Sequence, residues 1–446
     1  MRPVRRLAII DLDGVLVDLH PDRARLRGQI EHVLAEEGAS LDSGDWAMAI
    51  QAASAQAEVR QPGAGAPLAA RLWKLVDEEE ARQASLCRVR PGARELLDRL
   101  AGVPLVLCAS VHREAVTTAL GRAGIDRARF ASIHGRIGAA PCDFGAVLDA
   151  THEGTRLFVV THDPGAWSAA RAALGPEVVV LGNAHDMDEV APLESAGADF
   201  VMTELGEAAP LITTPPSSIG LTMVLLALNE EASIAAAVRD CRRMARLWLA
   251  DYEILVIDDG STDGTSAAAE AASQGDVRVI HHARNLGMGA GMRDGYGAAR
   301  CPYITHLPAD RQVRPQSLVA FLPRLNPETT VISSYTIPHS GESRRWLSLA
   351  FRLILRGVGG LHVDYAGSYI FHRHWLERVP LDSVRSETFV FSFELLERLR
   401  RAGSRFARVP MRPFAREVGQ SREVALRRMA RVFAEVARHR KRAWMG

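Results

Sequence analysis

A chain of 446 residues is too long for one ordinary core, so two or three domains are expected, and 47% apolar with 24% charged residues describes a globular protein. A formal net charge of +1 gives no reason to expect nucleic acid as a partner. Cys87, Cys108, Cys142, Cys241 and Cys301 are too scattered for a metal cluster or a disulfide framework, which fits a reducing cytoplasm.

The opening Met1-Arg-Pro-Val-Arg-Arg-Leu7 meets acidic residues after four apolar positions, so no signal peptide is expected. The best candidate for a spanning helix, Trp346 to Val363, is broken by Arg352, Arg356 and glycines and lacks the roughly 18 uninterrupted apolar residues a span needs. A cytoplasmic protein is expected, with a peripheral position at the inner membrane face as the alternative.

From the N-terminus the pattern predicts a strand over Leu7 to Ile10 and a helical insertion over roughly 22–100, with a loop at Gln61-Pro-Gly-Ala-Gly-Ala-Pro67. It then predicts a strand over Val103 to Cys108, a helix near 112–123, a strand over Leu157 to Val160, a helix near 166–174 and a strand over Val178 to Leu181. Such alternation implies an α/β fold, a parallel sheet with helices on both faces. The cluster Leu211-Ile-Thr-Thr-Pro-Pro-Ser-Ser-Ile219 separates it from a second α/β pattern, because Pro215-Pro216 can continue neither a helix nor a central strand. The expected organisation is therefore two doubly wound domains: 1–212 with a helical cap at about 19–88, a linker at 213–219, and 220–446.

In the second domain Leu221-Thr-Met-Val-Leu-Leu-Ala-Leu228 reads as a buried parallel strand ending in Asn229-Glu230-Glu231. Glu253-Ile-Leu-Val-Ile257 reads as another, running into Asp258-Asp259-Gly260-Ser261-Thr262-Asp263-Gly264-Thr265. Polar clusters at the carboxyl ends of neighbouring strands suit a nucleotide site. After a strand over Val277 to His281 comes Asn285-Leu-Gly-Met-Gly-Ala290, whose glycines let a ligand approach a helix N-terminus. Pro308-Ala-Asp310-Arg-Gln312 follows.

The order and spacing of these four motifs resemble family 2 glycosyltransferases of the GT-A fold, especially those similar to dolichyl- or polyprenyl-phosphate sugar transferases. The resemblance implies that Asn229, Glu230, Glu231, Asp258 and Asp259 face the nucleotide of a sugar-nucleotide donor, with Asn285 and Gly289 nearby. It implies that Asp310 holds Mg2+ or Mn2+, although Pro308 stands where the first acid of Asp-x-Asp usually falls. Glu394 is the expected catalytic base, with Glu387 next; pairing of Glu394 with Arg398 four residues on is the structural alternative. Arg344, Arg345, Arg352 and Arg416 fall where acceptor phosphate is bound, and guanidinium suits phosphate. The acceptor expected is a polyprenyl phosphate or a soluble small molecule. The basic run from Arg422 to Trp444 has helical apolar spacing, suited equally to a membrane surface or to packing on its own domain.

In the first half, Leu7-Ala-Ile-Ile-Asp11-Leu-Asp13-Gly-Val resembles the opening motif of the haloacid-dehalogenase superfamily, and Leu105-Val-Leu-Cys-Ala-Ser110 its second motif. The resemblance implies a Rossmannoid phosphatase-like domain with Asp11 as nucleophile, Asp13 as general acid, Ser110 on the phosphoryl group, and a metal held by Asp11 and a later acid. The later motifs depart: Ala140-Pro141 replaces the lysine before proline, and Thr161-His162 and Ala166 stand where Gly-Asp and a second Asp four residues on are usual, leaving Asp163 one position out of register. Two readings remain for this domain, an impaired one retained for binding and a working phosphatase in which Asp163 substitutes. The whole-chain alternative is a phosphatase whose C-terminal half only binds a sugar nucleotide.

Overall fold

The computed structural model describes residues 5–19, 22–37, 46–136, 154–273, 275–335 and 367–411. The expectations for Cys142, Arg344, Arg345, Arg352, Arg416 and the basic C-terminal run lie outside these residues. The chain divides into two compact units, Met1–Thr213 and Thr214–Gly446.

The first unit is built on a six-stranded sheet. Its strands are β1 (Arg6–Asp11), β4 (Leu105–His112), β5 (Ser132–Arg136), β6 (Arg156–Thr161), β7 (Val179–Asn183) and β8 (Phe200–Met202), in the order β5-β4-β1-β6-β7-β8. The paired strands in this sheet run parallel. The continuous burial of Leu7, Ala8, Ile9 and Ile10 explains why β1 reads as an unbroken apolar run and sits at the centre. A two-stranded antiparallel pair, β2 (Val17–Asp18) with β3 (Arg88–Val89), brackets three helices, Arg23–Glu36, Trp46–Arg60 and Gly65–Leu86. Leu26, Ile30 and Leu34, spaced four apart, pack with Leu68, Leu72, Trp73 and Val76 to form a separate small core. The guanidinium of Arg136 ties the third helix to β5: it lies over the Trp73 ring and pairs with Asp77 at 2.7 Å and Glu80 at 2.8 Å.

The second unit holds a seven-stranded sheet. Its strands are β9 (Ser217–Ala227), β10 (Leu249–Asp258), β11 (Val277–His281), β12 (Tyr303–Pro308), β13 (Thr329–Tyr335), β14 (Tyr369–His372) and β15 (Arg405–Met411), in the order β11-β10-β9-β12-β14-β13-β15. β9 to β12 are mutually parallel, and β14 runs antiparallel to both β12 and β13. The linker is shorter than the expected 213–219, because Ser217 already pairs with Leu249 and so belongs to β9. From β9 the chain steps outward through β10 to β11, then returns to the other side of β9 at β12. This reversal opens a crevice at the strands' carboxyl ends, the usual ligand position in such sheets.

The helix Met288–Ala298 rests on this sheet through Met292 and Tyr296, which join Val224, Leu255, Ile257, Phe391, Leu395 and Leu399 in one core. Each such fully buried aliphatic side chain contributes about 1.5–3 kcal/mol. Beneath the helix, Tyr296 Oη donates to Tyr369 Oη at 2.8 Å and lies 2.9 Å from His306 Nδ1, while burial pushes the His306 pKa down to about 4. A neutral His306 therefore anchors the helix that carries the glycine turn.

The helix approaches β9 so closely that a Cβ added at Gly295 would lie 2.5 Å from Val224 Cγ1. Val224 is fully buried and β-branched, so it has little room to move. Gly295→Ala is expected to destabilise this unit by about 1–3 kcal/mol in denaturant unfolding. In a Val224→Ala background the cost should largely vanish, a coupling that a double-mutant cycle reads directly.

Candidate active site

Parallel pairing sets the acids side by side. Asp258, the last residue of β10, is in register with Ala227 of β9 and His281 of β11, and Pro308 of β12 is in register with Leu226. With strands ~4.8 Å apart, the ends of β10 and β12 are separated by about 10 Å. The loops after β9 and β10 are laced together. Asn229, in a left-handed conformation at φ +57°, donates its N–H to Ser261 Oγ at 3.0 Å, and its Oδ1 accepts from Thr262 N–H at 2.9 Å. Glu230 N–H donates to Thr265 Oγ1 at 2.7 Å, and Glu231 Oε2 accepts from Gly264 N–H at 3.0 Å. Asn229 and Glu231 are exposed at the rim and Glu230 is half-buried.

Both adjacent carboxylates are buried and committed to holding this frame. Asp258 accepts from Ser261 N–H at 3.1 Å and from the Ser266 hydroxyl, with His281 Nδ1 at 3.3 Å. Burial works to raise its pKa, but these hydrogen bonds from Ser261, Ser266 and His281 outweigh it and hold the carboxylate below the usual range. The His281 pKa is raised in turn, first by its hydrogen bond to Glu270, then against burial by Asp258. Asp259 reaches across to the next loop. Its Oδ1 accepts from Leu286 N–H at 2.8 Å and lies 2.8 Å from His282 Nδ1, while its Oδ2 accepts from Gly287 N–H at 2.9 Å. His282 Nε2 is 3.0 Å from Asp294 Oδ2, so this imidazole bridges the strand-end acid to the following helix.

The glycine turn presses against a third loop. Gly289 N–H donates to the Glu387 carbonyl at 2.8 Å, and a Cβ at Gly289 would lie 2.4 Å from the Ser386 carbonyl oxygen. Glycine is required here by close approach of two backbones. Glu394, expected as the base, is 2% exposed, accepts from Ser386 N–H at 3.1 Å and Ser386 Oγ at 2.7 Å, and pairs with Arg398 at 3.0 Å. Its geometry is that of a group holding the 386–388 loop against the glycine turn. Asp310 follows β12, half-buried, with Oδ1 accepting from Gln312 N–H at 3.1 Å. Asn285 is exposed beside the turn.

The sheet end therefore gathers Asn229 to Glu231, Asp258, Asp259, the Asn285 to Gly289 turn and Asp310. His282, Asp294, Ser266 and Ser386 belong to the same framework and carry no motif of their own. The only sequence signal for His282 is its position directly after β11.

In the first unit, Asp11 ends β1 and its Oδ2 accepts from Thr161 Oγ1 at 2.6 Å. Asp13 Oδ1 accepts from Leu19 N–H at 2.7 Å, and Asp163 caps the helix Pro164–Leu174 through Gly165 N–H at 2.9 Å. Ser110 is exposed two residues beyond Cys108, the β4 neighbour of Asp11.

Acids from three parallel strand ends and a glycine turn at a helix N-terminus occupy the position at which open α/β sheets bind ligands. Comparison with known proteins gives the family: the family model described as Glycosyl transferase family 2 matches residues 222–379. The chain is 30% identical over 190 residues to the polyprenol monophosphomannose synthase of Mycolicibacterium smegmatis, covering 38% of this chain and 69% of that protein. It is 28% identical over 189 residues to the undecaprenyl-phosphate mannosyltransferase of Micrococcus luteus, covering 39% and 76%. Among solved structures, glucosyl-3-phosphoglycerate synthase from Mycobacterium tuberculosis aligns with a TM-score of 0.38 at 21% identity, covering 49% of this chain and 80% of that one. The protein belongs to glycosyl transferase family 2 and is a glycosyltransferase.

Gly289→Ala forces the Ser386–Glu387 backbone away from the turn and is expected to lower kcat/KM for sugar transfer by about a hundredfold, the scale of a 1 Å misplacement, in steady-state assays. In the first unit, burial pushes the Asp11 pKa of the metal-free protein up to about 7, opposed by the Thr161 hydroxyl and helped by the nearby charges of Asp13 and Asp163. A raised carboxyl pKa means the folded state holds the proton more tightly, so stability is greatest below the ordinary value and is lost as pH rises through about 7. Chelator-treated wild type should therefore lose stability between about pH 4 and about pH 7, by roughly 1.4 kcal/mol per pH unit across that window. Asp11→Asn should flatten that slope in thermal unfolding.

Proposed function

We propose that the protein transfers a sugar from a nucleotide-sugar donor to a polyprenyl phosphate, by direct displacement with inversion at the anomeric carbon. The observation that carries this reading is the convergence of the β9, β10 and β12 ends on one crevice beside a glycine turn that Asp259 holds in place through the Leu286 and Gly287 N–H groups. Support for the acceptor comes from the two relatives above, whose names specify polyprenyl-type phosphates. A phosphate acceptor is already ionised, so transfer to it needs orientation and positive partners more than a base. That suits a site in which Glu394 is buried in a structural pair.

Asp310, half-buried at the end of β12, fits a Mg2+ or Mn2+ shared with diphosphate oxygens and water, since such ions accept a single carboxylate when substrate oxygens complete the set. A dication there would stabilise the diphosphate leaving group as its charge develops. The chain's own groups bind and orient: Asn229, Glu230 and Glu231 at the base and ribose, Asp259 through the turn it fixes, and Gly289 by letting the Ser386–Glu387 loop close against that turn. The acceptor arginines Arg344, Arg345, Arg352 and Arg416 belong to this reading, as does peripheral contact with a membrane.

For the first unit we propose a haloacid-dehalogenase-like domain, supported by a central β1 ending in Asp11, flanking β4 and β6, and a helical insertion bracketed by the β2–β3 pair. Its phosphatase chemistry is impaired in this reading, because Asp163 serves as a helix cap and histidine stands at position 162.

The full chain incubated with labelled nucleotide sugars and undecaprenyl phosphate in detergent is expected to form a glycosyl lipid phosphate, detected by mass spectrometry. Asp310→Ala should lower the rate by at least about a hundredfold, whereas Asp11→Asn should retain it. Release of inorganic phosphate from sugar phosphates with no lipid product would instead support the phosphatase alternative.

A further inference from the structure

Away from the strand-end acids, the described residues assemble a cluster with a different ligand chemistry. His162, His185 and Glu189 can each offer one ligand atom, and those atoms lie within 4.8 Å of one another. His162 follows β6 and His185 and Glu189 follow β7, whose ends are in register at Thr161 and Gly182. The two imidazoles stack with centroids 3.9 Å apart at 11°.

The hydrogen bonds fix which nitrogens are available. His162 Nδ1 lies 3.0 Å from the Asn183 carbonyl oxygen, and His185 Nε2 lies 3.2 Å from the Gly14 carbonyl oxygen. A carbonyl only accepts, so each of these nitrogens carries the proton, leaving the lone pairs on His162 Nε2 and His185 Nδ1. A histidine whose other ring nitrogen donates to a backbone carbonyl has the support that metal-bound imidazoles require. The frame is rigid. Asn183 Nδ2 also donates to the Gly14 carbonyl at 2.9 Å, and a Cβ at Gly14 would lie 2.8 Å from His162 Cβ. Glu189 Oε2 accepts from His185 N–H at 2.6 Å and lies 3.7 Å from His162 Nδ1.

We propose that His162, His185 and Glu189 form a binding site for a transition-metal dication, zinc foremost, with a fourth position left to water or a ligand oxygen. Two imidazoles and one carboxylate are a borderline donor set suited to zinc, whereas magnesium demands a near-octahedral shell of oxygens. Zinc bonds of ~2.0–2.1 Å bring tetrahedral ligands to about 3.3 Å from one another. Glu189 lies nearest His162 Nδ1, the protonated nitrogen, so ligation requires the His162 imidazole to turn until Nε2 faces Glu189, a rotation that the partial exposure of His162 and Glu189, 34% each, permits. The proposal is independent of the transfer reaction assigned to the second unit.

The test uses the full chain stripped with chelator, titrated with Zn2+ in a calorimeter and with Co2+ in visible absorption. The expected result is one high-affinity zinc per chain, not displaced by millimolar Mg2+, and intense visible bands from Co2+. His162→Ala, His185→Ala and Glu189→Gln should each weaken zinc binding by at least about tenfold. His185 is exposed, so its replacement leaves folding intact and carries the test even if His162→Ala misfolds. Absence of zinc binding in the wild type would overturn the proposal, as would undiminished binding in His185→Ala.

Discussion

The second unit depends on one carboxylate. Asp259 leaves the end of β10 and accepts from the backbone of Leu286 and Gly287 and from His282, so a single buried side chain fixes the path from β11 into the helix Met288–Ala298. A carboxylate holds its N–H donors roughly twice as strongly as a neutral acceptor would. The start of this helix is fixed against the sheet end because Asp259 holds the Leu286 and Gly287 N–H groups and Gly289 N–H donates to the Glu387 carbonyl. His282 extends the same restraint to Asp294, well inside the helix.

From that staple the remaining loops are placed by contact. The glycine turn admits the Ser386–Glu387 backbone, Glu394 and Arg293 hold that segment from behind, and the Asn229 to Glu231 loop is laced to residues 261–265. Catalysis by glycosyl transfer rests on pre-set polar groups that do not reorganise as charge develops. The structure meets that condition with backbone donors and short side chains, most of them already hydrogen-bonded within the protein.

Most of the elements legible in the sequence are long strands of uniform burial, although the edge strand β11 is also legible from Val277 to His281. β1, β4, β6, β9 and β10 are central parallel strands, and continuous apolar runs such as Leu105-Val-Leu and Ile254-Leu-Val-Ile announce them. β5, β8 and β13 to β15 carry no such announcement. Ser132-Ile-His-Gly-Arg136 is an edge strand with polar positions, and Thr329-Thr-Val-Ile-Ser-Ser-Tyr335 buries Thr330 and Ser333 by hydrogen bonding them, which no apolar pattern signals. Among site residues, the motif acids stand out because glycine and hydroxyl residues frame them. His282 and Ser386 do not, because their roles arise only when distant loops meet. Glu394 misleads for the opposite reason: its spacing to Arg398 is visible, but not the 2% exposure that makes that pair structural.

If Asp259 shapes a diphosphate site without itself touching the ligand, its hydrogen-bonding capacity must govern nucleotide affinity. The decisive measurement is calorimetric titration of the full chain with nucleoside diphosphates in the presence of Mn2+, comparing wild type with Asp259→Asn. An amide turns one acceptor into a donor facing Leu286 or Gly287 N–H, so nucleotide affinity should fall at least about tenfold, a loss of roughly 1.4 kcal/mol. Unchanged affinity and stoichiometry in a folded Asp259→Asn variant would contradict this role.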